Sequence, residues 1–173
     1  MSQRPSGYAR QENELYQTPA WVTETLLPHL PWVAGTCWEP ACGGGGMSQV
    51  LMQAGFTVSL TDKSEGDDFL GFENAGNIGC IITNPPYNQA QEFIEHALKL
   101  LEPQRGFAAF LLRIDYDSAK TRAHLFDHPA WWKKVVLRKR IMWFEGEKSP
   151  SFNHAWYIWN WRNNGAPTIA YGS

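Results

Sequence analysis

The chain has 173 residues, of which 43% are hydrophobic, and a formal net charge of −2. This length favours one domain with a core of its own, and the apolar fraction excludes a disordered chain. The charge excludes a globally basic protein, and the three cysteines and five histidines show no spacing that predicts a disulfide framework or a metal site.

Residues 1–15 are polar and are expected to form a flexible arm, whereas residues 16–173 are expected to form a single domain. The arm lacks the apolar run of a signal peptide, and no segment of the sequence is long and apolar enough to predict a membrane span. Reduced cysteines are the simplest interpretation of the cysteine pattern, so a cytoplasmic protein without a membrane partner is expected.

The domain is predicted to open with a helix that begins at Thr18 and Pro19 and ends before Pro28. Threonine is a frequent helix cap, and proline suits the first helical position but cannot continue a helix. A short apolar strand over residues 35–40 is predicted to follow.

A run of four glycines, Gly43–Gly46, follows this strand, and a helix over 48–55 and a strand ending at Asp62 come next. Glycine lets the backbone approach a ligand, and a carboxylate about twenty residues later can hold ribose hydroxyls, so these features fit an adenosine cofactor. Ser48 occupies the position where the dinucleotide fingerprint requires glycine, which weakens the case for a nicotinamide oxidoreductase. A tight turn without a ligand is the alternative interpretation.

The remainder of the chain continues the alternation of strands and helices. Strands are predicted over 78–84, 106–115, 134–144 and 153–161, and helices over 88–101 and 118–127. This alternation predicts an α/β sheet with helices on both faces, in which ligands bind beyond the carboxyl ends of the strands.

The sequence NPPY, Asn84 to Tyr87, directly follows the apolar strand over 78–84. Neither proline has an N–H, so the turn offers acceptors, chiefly the Asn84 side-chain oxygen and the Pro85 carbonyl. Two acceptors that hold both N–H bonds of an sp2-bound amino group localise its lone pair and stabilise the positive charge that develops on nitrogen. Tyr87 offers a face for stacking on a base. A rigid turn with a core tyrosine is the alternative interpretation.

The order of YQTP, the glycine run, Asp62, DDFL and NPPY resembles that of motifs X, I, II, III and IV in S-adenosylmethionine-dependent amino-methyltransferases, in the order of the gamma group of DNA N6-adenine methyltransferases. The resemblance extends from Leu15 to the last predicted strand. It implies a Rossmann-like methyltransferase fold with a seven-stranded mixed sheet, helices on both faces and an antiparallel last strand. Residues 16–173 would then form the catalytic domain.

The resemblance implies S-adenosyl-L-methionine as the cofactor and S-adenosyl-L-homocysteine as its product. Glu39, Ala41 and Gly43 would line the methionine and ribose part of the cofactor, and Asp62 would bind the ribose hydroxyls. Asp68, or alternatively Asp67, would accept a hydrogen bond from the cofactor adenine. The full implied set is Thr18 (near the methionine carboxylate), Glu39, Ala41, Gly43, Gly45, Asp62, Asp68, Phe69 and Phe93, with Pro86 beside the adenine. Phe93 could equally be a plain core residue of its helix.

The catalytic residues implied by the resemblance are Asn84, Pro85, Pro86 and Tyr87. Phe152 would stack on a flipped-out target base together with Tyr87, although a loop aromatic that caps the core is an equal alternative. Lys139 and Arg140 belong to a basic strip, from Lys133 to Arg140, that could contact phosphate or form a solvated strand edge.

The predicted function is methyl transfer from S-adenosylmethionine to N6 of adenine in DNA, by direct displacement on a flipped-out base. Methylation of RNA adenine or of a protein glutamine, and a non-catalytic binding subunit on the same scaffold, are the alternatives. Gamma-group enzymes usually carry a target-recognition domain after the core, which is not seen here. A nucleic-acid partner is therefore expected together with a homodimer or a partner specificity subunit.

Overall fold

The computed structural model describes residues 17–31, 35–144, 150 and 152–172. The predicted arm, residues 1–15, lies outside the described residues. Among the helices described, none is long and apolar enough to cross a membrane.

A seven-stranded sheet forms the centre of the molecule, with the strand order β2-β1-β3-β4-β6-β5-β7. Within the described ranges, β6 is the one strand that runs antiparallel to its neighbours, β4 and β5. The strands are β1 (Thr36–Glu39), β2 (Val58–Leu60), β3 (Ile78–Thr83), β4 (Phe107–Arg113), β5 (Trp131–Leu137), β6 (His154–Asn160) and β7 (Thr168–Gly172).

Helices cover both faces of the sheet. They are α1 (Ala20–Leu26), α2 (Gly46–Gln53), α3 (Ala90–Leu101) and α4 (Ala123–Phe126). Buried side chains of α1 and α2 pack with one face of the strands in one core, and those of α3 and α4 pack with the opposite face in a second core. The predicted α/β fold with a seven-stranded mixed sheet and helices on both faces is therefore confirmed.

The strand predicted last, which is β6, is antiparallel as expected, but it is not the final strand. The chain continues into β7, which pairs parallel with β5. This edge strand was not predicted because Thr168, Ile169 and Tyr171 are exposed and give no buried alternation.

The strand predicted over 134–144 corresponds to β5, which begins earlier and ends earlier. β5 ends where the pairing with both neighbours ends, because Val136 pairs with Ala155 near the start of β6 and Leu137 pairs with Gly172 at the end of β7. β5 is therefore an internal strand, and residues 138–140 of the basic strip follow it as exposed residues outside the strand.

Two helix boundaries also differ from the prediction. Pro19 occupies the cap position of α1, with no side-chain cap bond, and Thr18 precedes it. The helix predicted over 118–127 is a pair of 3-10 turns followed by α4, which has four residues. By contrast, the predicted apolar stripe of α3 is buried, so this helix forms because its amphipathic face packs on the sheet.

The topology brings four segments to one edge of the sheet. β1 to β5 are mutually parallel, so their carboxyl ends lie at this edge, whereas β6 reaches it with its first residue because it runs the other way. The turns that follow β1 and β3 therefore lie side by side, opposite the start of β6.

Candidate functional site

The glycine run after β1 forms a tight turn into α2. Gly43 and Gly45 have φ values of +49° and +78°, in the left-handed region that favours glycine. The Gly45 N–H donates to the Cys42 carbonyl at 2.8 Å, and a Cβ at Gly45 would meet nothing within 4 Å. The backbone is thus open to close approach at Gly45, beside the first turn of α2.

Gln17 covers the other side of this turn, although the sequence interpretation did not single it out. A Cβ at Gly44 would collide with the Gln17 amide, and a Cβ at Gly46 would lie 2.9 Å from Gln17 Oε1. The absence of side chains at Gly44 and Gly46 therefore lets the segment before α1 lie on the turn. The signal was available, since Gln17 belongs to the YQTP motif.

Asp62 ties the glycine turn to the end of β2. Its Oδ2 accepts the Gly43 N–H at 2.9 Å, and its Oδ1 accepts the Ser64 N–H at 2.9 Å and the Ser64 hydroxyl at 2.6 Å. Partial burial raises the pKa of the carboxyl, but these hydrogen bonds outweigh it and hold the pKa below its ordinary value. Since a carboxylate has about four acceptor positions, about one remains for a ribose hydroxyl.

Glu39 ends β1 and is 2% exposed. Its carboxylate accepts a hydrogen bond from the Ser48 hydroxyl in the first turn of α2. Burial raises the pKa of Glu39 to about 7, against the opposing effect of the Ser48 hydrogen bonds. Ser48, which breaks the dinucleotide fingerprint, is thus the residue that satisfies this buried acid, and Ala41 follows at a half-buried position in the turn.

The DDFL segment places its acids outside and its aromatic ring inside. Asp68 is exposed, pairs with Lys63 at 2.7 Å and accepts the Leu70 N–H at 3.2 Å, while Asp67 is exposed beside it. Phe69 is 1% exposed and packs on Phe93 with ring centroids 4.8 Å apart.

Both of these rings are core residues. Trp38 and His96 pack edge-on against Phe69, so its faces are already covered by protein. The Phe69 side chain therefore supports the Asp68 turn from the core, and its assignment to cofactor binding stays a prediction. Phe93 is likewise buried in its helix, as the alternative interpretation had it, and supports the Asp68 turn from below.

Asn84 lies in the turn after β3, where the parallel pairing of β1 and β3 brings it to the same sheet edge as the glycine turn. Its Nδ2 donates to Thr18 Oγ1 at 3.4 Å. Its Oδ1 is buried and has no hydrogen-bond partner among the residues that the structure describes. The bond to Thr18 therefore helps to hold the Asn84 amide, whose buried oxygen has acceptor capacity that no described residue uses. Pro85 is buried and Pro86 exposed, with Tyr87 starting the 3-10 turn Tyr87–Gln89.

Tyr87 is 48% exposed, and its hydroxyl lies 3.0 Å from Nε2 of His154, the first residue of β6. The two rings are nearly parallel, with an interplanar angle of 25° and centroids 6.3 Å apart. Trp143 packs edge-on against the His154 ring, with ring centroids 5.5 Å apart. Tyr87 is thus an exposed ring with an anchored far end and not a core tyrosine.

Phe152 lies on the approach to β6 and is 44% exposed. The Arg113 guanidinium, at the end of β4, lies over its ring at 3.9 Å from the centroid. Arg140 holds the same segment, because its Nε donates to Asn153 Oδ1 at 2.9 Å and its Nη1 to the Pro150 carbonyl at 3.1 Å. Phe152 therefore projects from an anchored segment and does not cap the core.

The two predicted phosphate contacts have different surroundings. The Arg140 guanidinium is hydrogen-bonded to the Phe152 segment. Lys139 is exposed, and its Nζ lies 5.2 Å from the centroid of the Trp21 ring. Arg113 and Trp143 were not predicted as site residues, and His154, beside Phe152 in the sequence, was expected to be a satisfied loop polar rather than a substrate contact. Their role arises from long-range pairing, as in the register of Arg113 opposite His154, and no local motif marks them.

No protein-family model and no curated protein sequence matches this chain. Solved structures do match. A protein described as a class I S-adenosylmethionine-dependent methyltransferase from Listeria monocytogenes aligns with a TM-score of 0.63 and 13% identity, over 95% of this chain and 68% of its own.

Two further solved structures also match this chain. A type I restriction-modification methyltransferase subunit from Streptococcus thermophilus aligns with a TM-score of 0.58 and 13% identity, over 90% of this chain and 46% of its own. A protein described as an RNA methyltransferase from Pyrococcus horikoshii aligns with a TM-score of 0.53 and 14% identity, over 85% of this chain and 86% of its own. The chain thus spans less than half the length of the restriction-modification subunit. At these identities the likeness establishes the fold, which is that of class I S-adenosylmethionine-dependent methyltransferases.

Proposed function

We propose that this protein transfers a methyl group from S-adenosylmethionine to the N6 amino group of adenine in DNA. The observation that carries the proposal is the buried Asn84 side-chain oxygen, which lacks a partner among the described residues and lies at the sheet edge next to the open glycine turn. A buried acceptor without a partner is costly, and a substrate N–H donor would satisfy it.

The residues around the glycine turn fit the cofactor. Gly45 leaves open space beside the backbone, and Asp62 has acceptor capacity directly next to Gly43. The Asp68 carboxylate is exposed one turn further on. When bound, S-adenosylmethionine would supply an electrophilic methyl group on a sulfonium; Gly43, Gly45, Asp62 and Asp68 would hold it, with Glu39 and Ala41 behind the turn.

The chain's own residues would activate the substrate. Asn84 Oδ1 and the Pro85 carbonyl would accept hydrogen bonds from the two N–H groups of the amino group. They would thereby stabilise the positive charge that develops on nitrogen. The 3.4 Å hydrogen bond from Asn84 Nδ2 to Thr18 supports this assignment, because an amide nitrogen held by Thr18 would leave the amide oxygen for the substrate. Thr18 would therefore act on Asn84 as well as near the cofactor, a role that the sequence did not indicate.

Aromatic side chains would hold the base in the plane required for transfer. Tyr87 and Phe152 are both about half exposed and both anchored, the one by His154 and the other by Arg113 and Arg140. Stacking between two such rings would compensate the loss of stacking when a base leaves its helix. Lys139 would contact the phosphate backbone.

DNA is the substrate that we favour, because the motif order resembles DNA N6-adenine methyltransferases and because solved neighbours include restriction-modification subunits. RNA is the second candidate, since adenine carries the same amino group there and one neighbour is described as an RNA methyltransferase. A homodimer or a separate specificity subunit would supply the target recognition for which the described residues show no dedicated domain.

The test is transfer of a labelled methyl group from S-adenosylmethionine to DNA and to RNA, with the variants Asn84→Ala and Asn88→Ala. Asn88 is exposed in the same turn, so its loss controls for disturbance of the loop. We expect Asn84→Ala to lower the transfer rate by roughly 10²-fold or more, as for loss of one donor or acceptor aimed at developing charge, and Asn88→Ala to retain it. Full activity of Asn84→Ala would contradict the proposal.

A further inference from the structure

His154 is a buried polar residue at the site that no sequence motif explains. It is 3% exposed, begins β6 and lies in register with Arg113 at the end of β4. Because β6 is antiparallel, its first residue stands at the sheet edge where the turns after β1 and β3 lie. The antiparallel strand therefore delivers a side chain to the site from its beginning, which none of the parallel strands could do.

His154 contacts Tyr87 in two ways. Its Nε2 lies 3.0 Å from the Tyr87 hydroxyl, and its ring lies nearly parallel to the Tyr87 ring at 25°. Trp143 packs edge-on against the imidazole, with an interplanar angle of 79°. The imidazole is thus fixed by the strand on one side and by Trp143 on another, so it is a rigid support for a tyrosine that projects from a short turn.

The imidazole is neutral over the working range of pH. Burial lowers the pKa of His154 to about 4, and the nearby Arg113 adds to this effect, against the opposing influence of the Phe152 backbone and Asp115. A neutral imidazole can accept a hydrogen bond from the Tyr87 hydroxyl or donate one to the hydroxyl oxygen, so the hydrogen bond forms with either tautomer.

We propose that His154 is a positioning residue that holds the Tyr87 ring in the orientation that stacks on the target base. The inference rests on the proposed function. Half of the Tyr87 surface is exposed, and a tyrosine ring is free to turn about two side-chain torsions unless its hydroxyl is tethered. The bond to His154 restricts the rotation of the ring, so a base stacked on Tyr87 would keep one orientation relative to Asn84.

The test is a double-mutant cycle with Tyr87→Phe, His154→Leu and the double variant. Tyr87→Phe keeps the stacking ring and removes only the hydroxyl, and its exposed position makes it safe for folding. We expect each single variant to lower kcat by about tenfold with the cofactor Kd unchanged, because misplacement of the base costs rate and not cofactor binding. The double variant should be no slower than the slower single variant, because both remove the same bond.

Conservative and remote variants complete the cycle. His154→Gln keeps a hydrogen-bonding group and should restore part of the rate lost in His154→Leu, while His124→Leu, at an exposed helix residue, should match the wild type. Rate losses that multiply in the double variant, or wild-type kcat in Tyr87→Phe, would overturn the inference.

A second readout separates this inference from the proposed function. In 15N spectra of histidine-labelled protein, Tyr87→Phe should shift the Nε2 resonance of His154, whether or not the protein methylates anything. An unshifted resonance would overturn the tether itself. If the shift occurs but the wild type transfers no methyl group to nucleic acid, the proposed function fails, and the positioning role fails with it while the contact stands.

Discussion

Single residues in this site combine burial with polarity, and Glu39 is the extreme case. Its carboxyl is almost fully removed from solvent, with the Ser48 hydroxyl as its hydrogen-bond donor. Because the pKa rises from 4.5 to about 7 on folding, the folded protein binds a proton between these values that the unfolded chain has released. Stability is therefore highest below pH 4.5 as far as this group is concerned, and falls as the pH rises to 7.

The prediction is that Glu39→Gln removes this pH dependence. Between pH 4.5 and 7 the wild type should lose on the order of 3 kcal/mol of unfolding free energy through Glu39. Glutamine keeps an acceptor for Ser48 and has no charge to bury, so the variant should lose much less. Denaturant unfolding at several pH values measures the difference, with the exposed Glu73→Gln as the matched control. If the unfolding free energy changed equally with pH in the wild type and in Glu39→Gln, the effect of burial on the pKa of Glu39 would be contradicted.

Residues within one continuous motif could be predicted, and residues brought in by pairing could not. Asn84, Tyr87 and Asp62 stand in or beside local patterns that imply their chemistry. His154 and Arg113 meet because β6 pairs antiparallel with β4, and nothing in either segment alone specifies that register. The same limit applies to the anchoring bonds of Arg140, since its partners Pro150 and Asn153 follow ten or more residues later, whereas its phosphate contact stays a prediction.

At the level of elements, one carboxylate joins the turn after β1 to the end of β2. Asp62 accepts from Gly43 on one oxygen and from Ser64 on the other, so it fixes the glycine turn relative to the neighbouring strand. The cofactor proposal depends on this preformed turn, because a turn with two residues in the left-handed region has many other conformations open to it.

We predict that Asp62→Asn weakens S-adenosylmethionine binding by about tenfold or more. The amide has one acceptor oxygen in place of two, so it cannot serve Gly43 and Ser64 together, and it also loses the charge available to a ribose hydroxyl. Calorimetry measures the affinity, and hydrogen exchange at Gly43 reports the loosened turn. Glu73→Gln, at an exposed carboxylate outside the proposed cofactor contacts, is the control. Unchanged affinity in Asp62→Asn would show that the turn does not hold the cofactor.

Elements with a strong local pattern were predictable, whereas β7 and the end of β5 were not. β3 is a continuous apolar run and α3 has a complete buried stripe, so both were found close to their actual bounds. β7 is an exposed strand held by its pairing with β5, and the end of β5 is set by where its partners stop. Both depend on neighbours distant in sequence.

For the molecule as a whole, the near-neutral charge places the burden of nucleic-acid binding on local cations around the site. The exposed segment 138–140 and Arg113 lie at the sheet edge that carries the aromatic rings. Two of these cations differ in their surroundings. Lys139 is exposed to solvent, whereas Arg140 anchors the Phe152 segment by two hydrogen bonds.

This division predicts different effects of Arg140→Lys and Lys139→Ala on DNA. Arg140→Lys keeps the charge but cannot make both bonds in the same geometry, so methyl transfer should slow severalfold with the salt dependence of binding unchanged. Lys139→Ala should reduce the slope of log affinity against log salt by about 0.9 for one phosphate contact. Binding titrations over a range of salt concentrations, combined with rates, separate the two. A fully active Arg140→Lys variant would refute the anchoring role.

The central claim is that the Asn84 oxygen directs methyl transfer to an exocyclic amino nitrogen. Mass spectrometry of nucleosides from DNA incubated with the protein and S-adenosylmethionine tests it most directly. We predict N6-methyladenine as the product, abolished or strongly reduced in Asn84→Ala and retained in Asn88→Ala. Methylation at a ring nitrogen or carbon, or no modified nucleoside in either DNA or RNA, would contradict the account.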